Sequence, residues 1–193
     1  MRMTSKVPAL VVVVLCTAHS VSAQPALRAA ASTRAMSEVA LTIPARLGSA
    51  EADPKIIRVE YGQPHLRGRA LLTDSLVPYD KPWRIGANAA TRLITDVDLV
   101  LGGATLAKGT YILFALPSRA GWRLIVQKNQ STPEVIYEVE NDIVRVDLRA
   151  RTLAEPVESL SIALIPSLGT GSPHGELRIA WGTVSVSTDW SVK

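Results

Sequence analysis

Beyond residue 90, apolar side chains recur at every second position of this chain. Leu93, Thr95, Val97, Leu99 and Leu101 alternate with Arg92, Asp96 and Asp98. Trp122, Leu124 and Val126 alternate with Arg123, Ile125 and Gln127. Val144, Val146, Leu148 and Ala150 alternate with Arg145, Asp147, Arg149 and Arg151, and Leu177, Ile179 and Trp181 with Glu176, Arg178 and Ala180. A period of two sends successive side chains to opposite faces of an extended backbone. Each segment therefore offers one apolar face to a core and one polar face to water. This is the pattern of half-buried antiparallel strands.

Looser strand patterns fit residues 56–61, 69–73, 109–116, 157–165 and 183–187. Between the strands stand Gly102-Gly103, Lys108-Gly109, Pro117-Ser118 with Gly121, Asn141-Asp142, the stretch 169–173 and Gly182, all residues that turns require. Roughly nine short strands at such spacing predict an all-β, antiparallel two-sheet sandwich or jelly-roll-like domain. No long helical pattern follows residue 55, so a parallel α/β sheet lacks its crossover helices.

The N-terminus carries a different signal. Arg2 and Lys6 precede an apolar run over 7–15, and Val21-Ser22-Ala23-Gln24 presents small residues where signal peptidase needs them. We expect residues 1–23 to be a signal peptide cut after Ala23 and the product to be exported, to the periplasm or the medium. The apolar run is too short for a membrane-spanning helix. Cys16, the only cysteine, falls inside this leader. The mature chain thus has no disulfide, no thiol nucleophile and no cysteine-based metal site. The leader also takes Arg2 and Lys6 and no acid, leaving 19 basic against 17 acidic side chains, a net +2 from the full-length +4. Interspersed charges of so balanced a kind argue against a nucleic-acid partner. Residues 24–54 are rich in Ala and Ser, lack Trp, Tyr and Phe, and contain Pro44 and Pro54. They read as a partly disordered linker with a transient helix or one docked strand around 39–43. The domain is expected over 55–193.

One stretch concentrates chemistry-bearing side chains. Arg67, Arg69, Tyr79, Trp83, Arg84 and Asn88 fall within residues 61–91. Guanidinium groups fork onto carboxylate or phosphate, an aromatic face stacks on a sugar ring, and Asn adds donors and an acceptor. These six are the candidate ligand-binding residues. The same residues have an architectural use: Pro-flanked aromatics pin loops, and arginine caps carbonyls or stacks on tryptophan.

Other chemistries find less support. Lys108-Gly109-Thr110-Tyr111 lacks the spacing and the following helix of a phosphate-binding loop. The mature chain has two histidines, His65 and His174, with no H-x-x-x-H or H-E-x-x-H spacing, so no metal and no cofactor is expected. No G-x-S-x-G elbow marks a serine nucleophile. Glu134, Glu138, Glu140 and Asp142 form an acidic run, read as a solvated edge that discourages strand pairing.

Tyr61-x-x-Pro64, Arg67-Gly68-Arg69, Leu76-Val77-Pro78-Tyr79-x-x-x-Trp83-Arg84-x-Gly86-Ala87-Asn88, Gly109-Thr110-Tyr111 and the late Trp181 carry a resemblance. Over about 56–186 the chain resembles the bacterial family named domain of unknown function 2911. The resemblance implies an exported β-rich domain and brings no established activity or cofactor. Ala89 stands where that family usually has Glu after Gly-Ala-Asn, and Gln130-Ser131-Thr132-Pro133 replaces a common Trp-Gly segment. The expectation from all of these features is a non-catalytic binding or structural module of the cell envelope, taking a small anionic or saccharide ligand or an envelope protein. The alternative is an envelope hydrolase acting on saccharide or a related small substrate.

Overall fold

The computed structural model describes residues 30–42, 53–130 and 136–193. The leader expected over 1–23 and the Ser131–Pro133 part of the replaced segment lie outside them. Among the described residues no helix is long and apolar enough to cross a membrane.

Among the described residues nine strands form one antiparallel sheet. They are β1 (Arg34–Leu41), β2 (Lys55–Gly62), β3 (Arg92–Thr95), β4 (Leu99–Leu101), β5 (Ala104–Leu106), β6 (Gly109–Ser118), β7 (Gly121–Lys128), β8 (Asp142–Pro166) and β9 (His174–Val192). Their order across the sheet is β1-β2-β3-β6-β7-β8-β9-β4-β5. The all-β antiparallel reading holds, with the two layers joined into a continuous sheet. Length explains the junction. The first part of β8 pairs with β7, from Trp122↔Leu148 to Gln127↔Asp142, and from Arg149 onward β8 pairs with β9. One strand therefore belongs to both layers.

The strands expected separately at 144–151 and 157–165 are this single β8. The register shifts between Thr152 and Val157 and again between Val157 and Ser161. Pro156 sits within the first irregularity, and Gly182, at φ 56, is the partner of Val157 on β9. Bulges absorb residues that would otherwise end a strand. The alternation over 93–101 breaks the other way. The Thr95 hydroxyl donates to the Val97 carbonyl at 2.7 Å and the Asp98 carboxylate accepts the Lys108 amide at 2.9 Å, turning the chain between β3 and β4. The strand expected at 69–73 does not form. Arg67 and Gly68 take φ 52 and 74, and Arg69 bonds back to the Leu66 carbonyl, which curls the chain away from the sheet. β1 lies inside the stretch read as linker, on the docked strand anticipated around 39–43 but beginning at Arg34 and paired along its length with β2.

The two layers share a core that includes Ile57, Val59, Leu113, Leu124, Leu160 and Trp190. Ile112, Phe114 and Ile125 face the other way and form a second small cluster with Ala90, onto which Tyr137 packs edge-on against Phe114 at 5.4 Å. β6 and β7 are thus buried on both faces, which accounts for Ile125 at a position the alternation assigns to water.

The free edge of β8 closes against β1 and β2. Three alternate amides are satisfied in turn: Leu160 donates to the Pro64 carbonyl at 3.0 Å, Ile162 to the Tyr61 hydroxyl at 3.1 Å and Leu164 to the Ser37 hydroxyl at 2.9 Å. Alternate amides point to the same side of a strand, so this edge is sealed partly by side-chain hydroxyls in place of backbone carbonyls.

Candidate functional site

Between β2 and β3 residues 63–91 cross one end of the sheet without forming a strand, and all six candidate residues lie on this segment. Its backbone is under local constraint. Arg67, Asp80, Ile85 and Asn88 have positive φ, a region that asparagine and aspartate tolerate and a β-branched residue resists. Ile85 at φ 47 costs on the order of 1–3 kcal/mol. It is held there by complete burial and by the Thr91 hydroxyl, which donates to its carbonyl at 2.6 Å. Gly62 makes the fold of this segment possible, because a side chain there would collide with the Ala87 carbonyl.

Trp83 fixes the segment to the sheet. Its amide donates to the Ala115 carbonyl and the Ala115 amide donates to its carbonyl, both at 2.7 Å. The bridge pairs Trp83 with β6 at Ala115, three residues past Ile112, where the pairing with β3 stops at Arg92. The Trp83 ring stacks on Trp181 of β9 with centroids 5.8 Å apart and planes 15° from parallel. Trp181 is buried and its indole N–H donates to the Glu158 carbonyl at 3.1 Å.

Around this pair lies a pocket of about 330 Å³ whose walls include Arg69, Trp83, Arg84, Trp181, Ser32 and Ser75. Three of the six candidates therefore meet in one cavity. Arg69 donates through Nε to the Leu66 carbonyl at 2.9 Å and through Nη2 to the His65 carbonyl at 2.8 Å. Arg84 donates to the Asn88 carbonyl at 3.2 Å. Both side chains are exposed, and among the described residues no carboxylate lies within ion-pair distance of either guanidinium. Each retains donors beyond those used for carbonyls, since a guanidinium has five.

The other three candidates take other places. Arg67 donates through Nη2 to the Ala31 carbonyl at 3.2 Å, and Asn88 donates to the Ser32 carbonyl at 3.1 Å. Together they hold the segment before β1 against the pocket, acting on its wall and not lining it. Tyr79 lies under the Arg119 guanidinium, 5.3 Å from its ring centroid, outside the pocket. Sequence reading missed Ser32 and Ser75 as wall residues. Ser32 falls in an Ala- and Ser-rich segment without aromatic residues and reaches the site through the pairing of β1 with β2.

The histidines are separated. His65 and Ser159 form a cross-strand bridge, flanked by Leu66 amide to Glu158 carbonyl at 2.9 Å and Leu160 amide to Pro64 carbonyl at 3.0 Å. That is a non-hydrogen-bonded antiparallel pair, in which facing side chains approach closely. His65 Nδ1 lies 2.7 Å from Ser159 Oγ. Neither residue lines the arginine pocket. His174 lies on β9, where Nδ1 is 2.9 Å from the Ser172 carbonyl. Among the described residues no group of three or more His, Cys, Asp and Glu is placed to hold a metal ion. Of the acidic run, Asp142 binds Gln127 at 2.7 Å, Tyr137 at 3.1 Å and Arg145 at 2.8 Å, so it ties the loop before β8 to the outer cluster.

The model of one protein family, described as Protein of unknown function (DUF2911), matches residues 44–189. The matched span contains all six candidates and leaves β1 outside it. No curated protein and no solved structure matches the chain.

Proposed function

This chain belongs to the DUF2911 family, and from that premise we propose that it is an exported, non-catalytic module of the cell envelope that binds a small anionic ligand in the arginine pocket. The convergence of Arg69 and Arg84 beside Trp83, with no carboxylate neutralising either guanidinium among the described residues, carries this reading. A carboxylate or phosphate entering the pocket meets planar, paired donors already directed by their bonds to backbone carbonyls. An acidic sugar adds a ring for the exposed part of Trp83.

Titration calorimetry of the mature chain with galacturonate and with inorganic phosphate tests the proposal and separates a sugar acid from a free oxyanion. Hydrogen bonds to charged groups contribute about 1.5–3 kcal/mol each, so Arg69→Gln and Arg84→Gln are each expected to weaken binding by roughly 10- to 100-fold. Binding of neither anion, or binding indifferent to both substitutions, rejects the pocket as an anion site.

The His65–Ser159 contact favours a second reading, the envelope hydrolase. In it Ser159 Oγ attacks an ester carbonyl carbon and its proton passes to His65 Nδ1. The leaving alcohol takes that proton, and water then releases the acid. Labelling of the folded chain by a fluorophosphonate, abolished by Ser159→Ala, supports this reading. An unlabelled wild-type chain removes it.

A further inference from the structure

Residues 30–33, immediately before β1, run as a strap beside the arginine pocket and supply Ser32 to its wall. Pairing with β2 begins only at Arg34. Ala30, Ala31 and Thr33 are exposed and Ser32 is half-buried, so no apolar side chain anchors the strap in the core. Hydrogen bonds hold it instead. Three consecutive carbonyls each accept one: that of Ala31 from Arg67 Nη2 at 3.2 Å, that of Ser32 from Asn88 Nδ2 at 3.1 Å, and that of Thr33 from the Gln63 amide at 2.9 Å.

All three donors lie on the segment that carries Arg69 and Arg84. Two of them belong to residues with positive φ, Arg67 at 52° and Asn88 at 60°. The Arg67 backbone is fixed from β8, where the Glu158 carboxylate accepts its amide at 2.7 Å. A sparsely populated backbone conformation persists where its surroundings over-determine it, and here it directs two side chains onto one short stretch of chain.

A segment held by a few exposed hydrogen bonds and no buried apolar contact opens at low free-energy cost. Binding that favours one state of such an element shifts its population, and the coupling is equal in both directions. We infer that the strap closes on the bound anion through Ser32, and that Arg67 and Asn88 are positioning residues that set its closed population. An anion held by Arg69 and Arg84 gains the Ser32 hydroxyl as a further donor only while the strap is closed. This coupling rests on the anion-site reading of the pocket and adds to it a wall that responds to its ligand.

Hydrogen exchange of the Gln63 amide, whose acceptor is on Thr33, reads strap opening by NMR. In the wild-type mature chain, saturating galacturonate or inorganic phosphate is expected to slow that exchange about 10-fold, the worth of one net hydrogen bond from Ser32. Ser32→Ala is expected to bind the anion about 10-fold more weakly by calorimetry and to lose the ligand-dependent slowing, as reciprocity requires. In the free chain, Arg67→Met combined with Asn88→Gly removes two donors at backbone positions that both new residues tolerate as well as the old. Gln63 exchange is then expected to rise roughly 10- to 100-fold, and Arg67→Lys beside native Asn88 to stay close to the parent. The wild-type and Ser32→Ala measurements carry the test if the paired variant does not fold. Calorimetry that finds neither anion bound rejects the pocket and this coupling with it. Anion binding without any change in Gln63 exchange, slowing that persists in Ser32→Ala, or free-chain exchange indifferent to the paired substitution overturns the strap and leaves the pocket standing.

Discussion

Replacing Tyr61 by phenylalanine removes one oxygen from the seam that joins β8 to β2. In the native chain that oxygen accepts the Ile162 amide at 3.1 Å, between residues that are both buried, at 4% and 3% exposure. The ring still fills its place, so the packing loss is small. The loss is a buried amide with no acceptor, and the desolvation cost of such a group is about 1–3 kcal/mol. We expect Tyr61→Phe to destabilise the domain by about 2 kcal/mol. At ~2–4 °C per kcal/mol for a domain of this size, the thermal midpoint drops about 4–8 °C. Urea unfolding followed by tryptophan fluorescence measures the free energy, and hydrogen exchange reads the Ile162 amide directly. Ser37→Ala is the internal reference. It unpairs the Leu164 amide nearer the edge, where water can take over part of the bond, and less than about 1 kcal/mol is expected. If Tyr61→Phe falls within ~0.5 kcal/mol of the parent and Ile162 exchange is unchanged, side-chain hydroxyls do not seal this edge.

Gly62→Ala places a Cβ 1.8 Å from the Ala87 carbonyl oxygen, backbone against backbone, and is expected to cost more than ~3 kcal/mol, read as lost soluble yield or a collapsed urea midpoint. Trp83→Ala removes the ring stacked on Trp181 and is expected to destabilise by roughly 3 kcal/mol while abolishing the coupled tryptophan signal in near-ultraviolet circular dichroism. Acid is expected to weaken the β8–β9 layer. The hydrogen bond from Arg149 holds the Asp189 carboxyl below its ordinary value, and the Ser187 hydroxyl, followed by Arg178, does the same for Glu176. A lowered folded-state pKa gives stability that is present above the unfolded value, near 4, and lost as pH falls through the folded one. The thermal midpoint should therefore decline as pH falls below about 4, and Asp189→Asn should flatten part of that decline. An acid profile identical in that variant would discount the Arg149–Asp189 pair.

The strand content was legible because alternation is local. Leu93, Trp122, Leu124, Val146 and Ile179 each announce a buried face through their immediate neighbours. The density of Arg, Trp and Asn in 61–91 was visible for the same reason, since composition along a loop can be read without a fold. Membership of six residues in one site was not legible. Arg69, Trp83 and Arg84 meet because Trp83 bridges to Ala115 and stacks on Trp181, nearly a hundred residues later, whereas Tyr79, four residues earlier, turns to Arg119. Nor does alternation distinguish one bulged strand from two, because Pro156 and Gly182 read as punctuation until each is seen across the ladder from its partner. Side-chain periodicity follows from backbone geometry one residue at a time. Pockets and unpaired groups depend on which distant segments the closing of the sheet brings into contact, and those contacts exist only once the chain has folded.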